Sequence, residues 1–208
     1  MAALGDDVYA NDIASASGEI VRKLNENYAF KYPIKFIEGE FLNKELPWLS
    51  FDFIVGKDFL HHLEISLEKE VRKETARVVK PNGESLFVER AVNSKILDEI
   101  RWHIPIGGRP SKFNKAAFDK WKESDPHPDR SFSAKHWEKA GATFFKEVEI
   151  IPVGTLERFS RLFGWGERRN NFKRWALKNE KHLPGSLNSV FTRSQLIVYR
   201  KSRNGVTE

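Results

Sequence analysis

The segment Phe51-Asp52-Phe53-Ile54-Val55-Gly56 constrains this chain most: a nearly continuous apolar run, stopped by a glycine. A strand wetted on one face alternates apolar and polar residues. A run without alternation reads as a strand covered on both faces, the habit of parallel sheets. Parallel strands need crossover connections, usually helices, and the flanking sequence offers them. Val8-Tyr9-Ala10 reads as a short strand ending at Asn11-Asp12. Ser15 and Ser17 are candidate N-caps of a helix to about Tyr28, with Ile20, Val21 and Leu24 on one face. Ile34 to Ile37 reads as a second strand. After the apolar run, a helix is predicted from Ser66 to Val79, a compact turn at Lys80-Pro81-Asn82-Gly83, and a strand from Glu84 to Glu89 with Leu86, Phe87 and Val88 buried.

The chain then turns helical and irregular. Helices are predicted at Ser94 to Trp102 and Phe113 to Trp121, and a loop at Ser124 to Asp129, where two prolines forbid regular structure. Ser133 caps a short helix ending at Gly141. Thr143 to Pro152 reads as a strand, Thr155 to Phe163 and Arg168 to His182 as helices, and Gln195 to Tyr199 as a last strand. The expectation is one α/β domain with a mostly parallel, Rossmann-like sheet and helices on both faces. It divides into an α/β half at 1–92, a helical insert at 93–142, and C-terminal strands with basic helices at 143–208. In such sheets ligands bind beyond the carboxyl ends of the strands. That singles out Asp12, Glu38 to Glu40, Gly56 to His62 and Glu89 to Asn93.

Composition closes off several chemistries. The 208 residues contain no cysteine, so disulfides, thiolate metal sites and cysteine nucleophiles are excluded. With 40% hydrophobic residues the chain can build a core. No apolar run is long enough for a membrane helix, and Met1 to Asn11 does not read as a secretory signal. A soluble cytoplasmic protein is expected. The formal charge of +6 is uneven: from Gly154 to Asn204 twelve cations face three anions. A basic end suggests an anionic partner, although a solvated helix face has the same composition. The adjacent His61 and His62 point some 100° apart on a helix and lack the spacing of a metal pair, so no metal is expected. His127, held between Pro126 and Pro128, suits a pocket lid or a plain surface turn equally.

The ordered set Val8 to Ile13, Phe36 to Phe41, Phe51 to Gly56 with Leu60-His61-His62-Leu63, and Arg77 to Gly83 resembles the Rossmann-like, class I S-adenosylmethionine-dependent methyltransferases of the type 11 kind. The resemblance covers Leu4 to about Glu89. It implies S-adenosylmethionine as cofactor and the antiparallel last two strands of that fold. It also implies roles. Asp12, with Ile13 beside it, accepts the ribose hydroxyls; Glu38, Gly39 and Glu40 lie by the adenine, with Phe41 flanking the ring; Gly56 and Lys57 lie where cofactor and methyl acceptor meet. His61, His62 and His127 are the candidate catalytic bases. The family's first strand and glycine-rich loop are not recognisable ahead of Val8. The resemblance therefore implies an N-terminally truncated copy that holds cofactor weakly by itself, with unpaired strand edges. Three functions follow: a methyltransferase acting on a small molecule, an RNA methyltransferase using the basic end, or an inactive truncated domain that binds a partner.

Overall fold

A computed structural model describes residues 1–105, 108–124 and 131–201, the side chain of Arg161 excepted. These fall into two compact units, Met1–Pro47 and Trp48–Glu208. The loop carrying His127 lies outside the described residues.

The first unit is a two-stranded parallel sheet, β1 (Tyr9–Asp12) and β2 (Lys35–Glu38), connected by α1 (Ser15–Asn27). The helix lies on the sheet because Gly18 has no side chain: a Cβ there would stand 2.9 Å from the Phe36 ring. Asn25 ties the far end, its amide donating to the Ile34 carbonyl and its oxygen accepting the Ile34 N–H, both at 2.9 Å. The helix start departs from expectation. Neither serine caps it, and the carboxylate of Asp12 does so from two residues before Ala14.

The second unit holds a four-stranded sheet in the order β3 (Phe51–Lys57), β4 (Val79–Arg90), β6 (Ser194–Arg200), β5 (Glu147–Val153). β3 and β4 are parallel; β6 runs antiparallel to both its neighbours. The carboxyl ends of β3, β4 and β5 therefore share one edge with the start of β6. Helix α2 (Ile65–Val78) leads into β4, and α3 (Lys95–His103), α4 (Lys115–Glu123) and α5 (Ala134–Gly141) separate β4 from β5. Helices α6 (Glu167–Asn179) and α7 (Gly185–Phe191) separate β5 from β6. The core comprises Leu60, Val71, Val78, Val79, Phe87, Trp137, Phe145, Ile197 and Tyr199. Tyr199 lies stacked on Phe145, centroids 4.9 Å apart, with its hydroxyl donating to the Trp137 carbonyl. Gly141 makes room for it, since a Cβ there would enter the ring.

The turn expected at Lys80 to Gly83 is instead part of β4. Phe51 pairs with Val79 and Phe53 with Glu84, so the four residues between form a bulge. Gly83 is required there, because a Cβ would stand 2.6 Å from the Asp52 carbonyl. Leu86 and Val88 are only half-buried; the buried face of β4 is Ser85, Phe87 and Glu89. Thr155 to Phe163 is a 3-10 helix over Glu157–Leu162 rather than an α-helix, β5 begins at Glu147 rather than Thr143, and α7 was not foreseen. Among the described residues β1 pairs with β2, and β3 with β4.

Candidate active site

At the end of the first unit's sheet, register sets Asp12 directly opposite Glu38. Asp12 is exposed. Its Oδ1 accepts the Ala14 N–H at 2.9 Å and its Oδ2 accepts the Ser17 hydroxyl at 2.8 Å. Those two bonds, the backbone one foremost, hold its carboxyl below the ordinary aspartate value. Each oxygen keeps a further acceptor site, so the group fits a pair of ribose hydroxyl donors. Ile13, next to it, is 74% exposed. Gly39 takes a left-handed φ of 102° and donates its N–H to the Asp12 carbonyl at 2.8 Å. The side-chain amide of Asn11 bonds the Ile37 and Gly39 carbonyls, both at 2.8 Å, and fixes this end of β2. Glu40 is exposed and accepts from Asn43 at 2.9 Å, and Phe41 opens a 3-10 turn. Asp12, Glu38, Gly39, Glu40 and Phe41 thus lie at one end of the β1–β2 sheet.

In the second unit Gly56 is a packing glycine. It pairs with Phe87, and a Cβ would lie 2.7 Å from that ring. Lys57 ends β3 and is exposed, and Asp58 follows with a φ of +49°. The two histidines separate. His61 is buried, its Nδ1–H donating to Glu89 Oε2 at 2.6 Å. His62 is exposed. Glu89 Oε1 also accepts the N–H groups of Phe59 and Leu60 at 3.0 and 2.8 Å. The Nε2 atom of His61 is buried and has no hydrogen-bond partner. The sequence reading did not join Glu89 to His61, because 28 residues separate them. The other strand-end candidate, Asn93, is structural: it donates to the Ser189 carbonyl at 2.7 Å and accepts from the Ala134 N–H at 2.9 Å. Among the described residues no group of three His, Asp or Glu side chains could hold a metal ion, and no helix is long and apolar enough to cross a membrane.

The fold is that of the Rossmann-like methyltransferases. It is similar to the YcgJ protein of Bacillus subtilis at 16% identity and a TM-score of 0.52, over 96% of this chain and 83% of that one. It is similar to geranyl diphosphate C-methyltransferase of Streptomyces coelicolor, in complex with geranyl diphosphate and S-adenosylhomocysteine, at 11% identity and TM-score 0.57, over 95% and 65%. It is also similar to a phosphoethanolamine N-methyltransferase of Haemonchus contortus, in complex with phosphomonomethylethanolamine and S-adenosylhomocysteine, at 11% and 0.55, over 94% and 43%. No curated protein matches the sequence. Residues 1–87 match the family described as the methyltransferase domain. Residues 1–87 are thus similar to a methyltransferase domain, and the chain shares the fold of Rossmann-like methyltransferases.

Proposed function

We propose that the chain transfers the methyl group of S-adenosylmethionine to a small-molecule acceptor, with the cofactor's ribose held by Asp12. The observation that carries this is the register of β1 on β2, which sets two exposed acidic strand ends side by side beneath a left-handed glycine. S-adenosylmethionine supplies an electrophilic methyl on a sulfonium sulfur. The protein's part is to bind and orient. Asp12 receives the ribose hydroxyls, and Glu38, Gly39 and Glu40 border the adenine, with Phe41 beside the ring. Gly56 acts through packing under Phe87, and Lys57 stands exposed at the end of β3. His61 is anchored by Glu89, which orients its ring. His62, exposed beside it, is the histidine able to take a proton from an acceptor hydroxyl. Small-molecule acceptors are also what two of the similar structures contain.

Titration with S-adenosylhomocysteine tests this. Asp12→Ala should weaken binding by about 1.5–3 kcal/mol, the loss of a charge-assisted acceptor. Equal affinities in the two proteins, or no binding at millimolar ligand, would overturn the assignment.

A further inference from the structure

Three arginines of the second unit lie on segments that follow the carboxyl ends of β4 and β5, and the charge of Arg101 acts on each of the other two. Arg101 lies on α3, which follows the end of β4, and Arg109 lies in the connection from α3 to α4. Both guanidinium groups sit over the same indole, Trp102, at 4.5 and 4.8 Å from its centroid. Arg109 is turned into place by donating to the carbonyls of Arg101 and Ile104 at 2.7 and 2.9 Å. Arg158 comes from the 3-10 segment just after β5 and donates to the Phe191 carbonyl at 2.7 Å.

The segment that carries Arg158 is rigidly held. Glu180 is buried and its carboxylate accepts the N–H groups of Gly154, Leu156 and Glu157 at 2.9, 2.7 and 3.0 Å. The preceding residue, Glu157, is committed to Arg193 at 2.7 Å and Lys173 at 3.7 Å. Asp98 is committed to Arg101 at 2.7 Å. Among the described residues no carboxylate pairs with Arg109 or Arg158. Both are half-buried, and their charged forms are disfavoured, by burial first and then by Arg101; Arg193 adds to this at Arg158, and Asp98 opposes it at both. Two buried Nε–H donors, on Arg101 and Arg109, have no acceptor. Concentrating like charge in partly dry surroundings is unfavourable unless an anion completes it. Planar guanidinium forks on an aromatic plate match the oxygens of a phosphate.

We propose that Arg101, Arg109 and Arg158 bind a phosphate group, and that the methyl acceptor is a small phosphate ester or diphosphate anchored there. This deepens the methyltransferase reading and rests on it. Further along the basic C-terminal end, Trp165 is 92% exposed with Arg169 over its ring at 4.2 Å, where a stacked base of RNA would be received.

The test uses the full chain, titrated calorimetrically with inorganic pyrophosphate, with inorganic phosphate, and with a decamer of uridine. Pyrophosphate should bind, and an Arg109→Gln/Arg158→Gln double variant should bind it about tenfold or more weakly, as loss of charged hydrogen bonds implies. Arg158→Lys, which keeps the charge and loses the fork, should fall between, and it serves alone if the double variant shows a lowered unfolding temperature. Affinity for S-adenosylhomocysteine should be unchanged in all of them. Absent pyrophosphate binding, or equal affinity in wild type and variants, overturns the site. A decamer that binds far more tightly than pyrophosphate and is weakened by the same substitutions overturns the small-molecule assignment in favour of RNA. Pyrophosphate binding without any S-adenosylhomocysteine binding leaves the phosphate site standing and removes the methyltransferase reading.

Discussion

Asp12 and Glu89 are acids at or near the ends of two strands, and they lead opposite lives. Asp12, at the end of β1, is exposed, accepts one backbone and one hydroxyl donor, and keeps acceptor capacity facing outward. Glu89, near the end of β4, is fully buried and accepts two backbone N–H groups and the ring of His61. The same functional group in the same topological place serves recognition at one strand end and architecture at the other. Solvent access decides which: an exposed carboxylate can trade its water for a ligand, whereas a buried one must already be satisfied to be tolerated.

The contrast can be broken most forcefully at Glu89. Glu89→Ala leaves two amides and a histidine without their acceptor inside the protein and should cost about 3–5 kcal/mol. Urea unfolding measures this, and a loss no greater than that of Asp12→Ala would erase the distinction between the two ends. Gly56→Ala should come next, at about 1–3 kcal/mol, because the new methyl meets the Phe87 ring. Combining it with Phe87→Leu should recover part of the loss, since the clash is with that one ring.

A third probe is acid. Glu68 of α2 is buried, which raises its carboxyl, but hydrogen bonds from His136 and Arg72 outweigh that and bring it below the ordinary value. A depressed carboxyl stabilises the fold above its unfolded pKa, and that contribution drains away as pH falls through the folded value. Unfolding free energy should therefore fall below about pH 4.5, and Glu68→Gln should fall less steeply over the same range. A parallel decline in both proteins would remove Glu68 from the acid response. The smallest effect is expected at the exposed end. Asp12→Ala should destabilise α1 by about 0.5–2 kcal/mol, the usual loss on removing a helix-start acceptor. Faster amide exchange at Ala14 would locate the loss there, and unchanged exchange would deny Asp12 its part in starting the helix.

Much of this was written locally in the sequence. The nearly continuous apolar run of β3, the amphipathic face of α2, and an acid after each early strand are short-range patterns that placed the strand ends correctly, but β3 is not covered on both faces as its composition suggests, since Phe53 and Val55 are exposed. What escaped depends on distance or on close approach. Lys80 to Gly83 has turn composition, yet Gly83 serves to let two backbones meet inside a strand pair. Helix α7 starts at Pro184-Gly185, a pairing that reads as a break. The Glu89–His61 pair spans 28 residues. The charge count noticed the basic C-terminal end, but two of the three arginines that follow strand ends, Arg101 and Arg109, precede it. Only the fold brings them to Arg158.

The burial of Tyr199 sorts the chain's chromophores. The other three tyrosines, Tyr9, Tyr28 and Tyr32, are exposed and belong to the first unit, whereas all six tryptophans, from Trp48 to Trp175, belong to the second. Indole emission therefore watches the second unit alone. Phenol emission watches the first, save for Tyr199, whose ring is stacked on Phe145 and whose proton burial holds far above the ordinary phenol value. Two wavelengths on one unlabelled sample can thus follow the two units separately as either one melts or takes up a ligand.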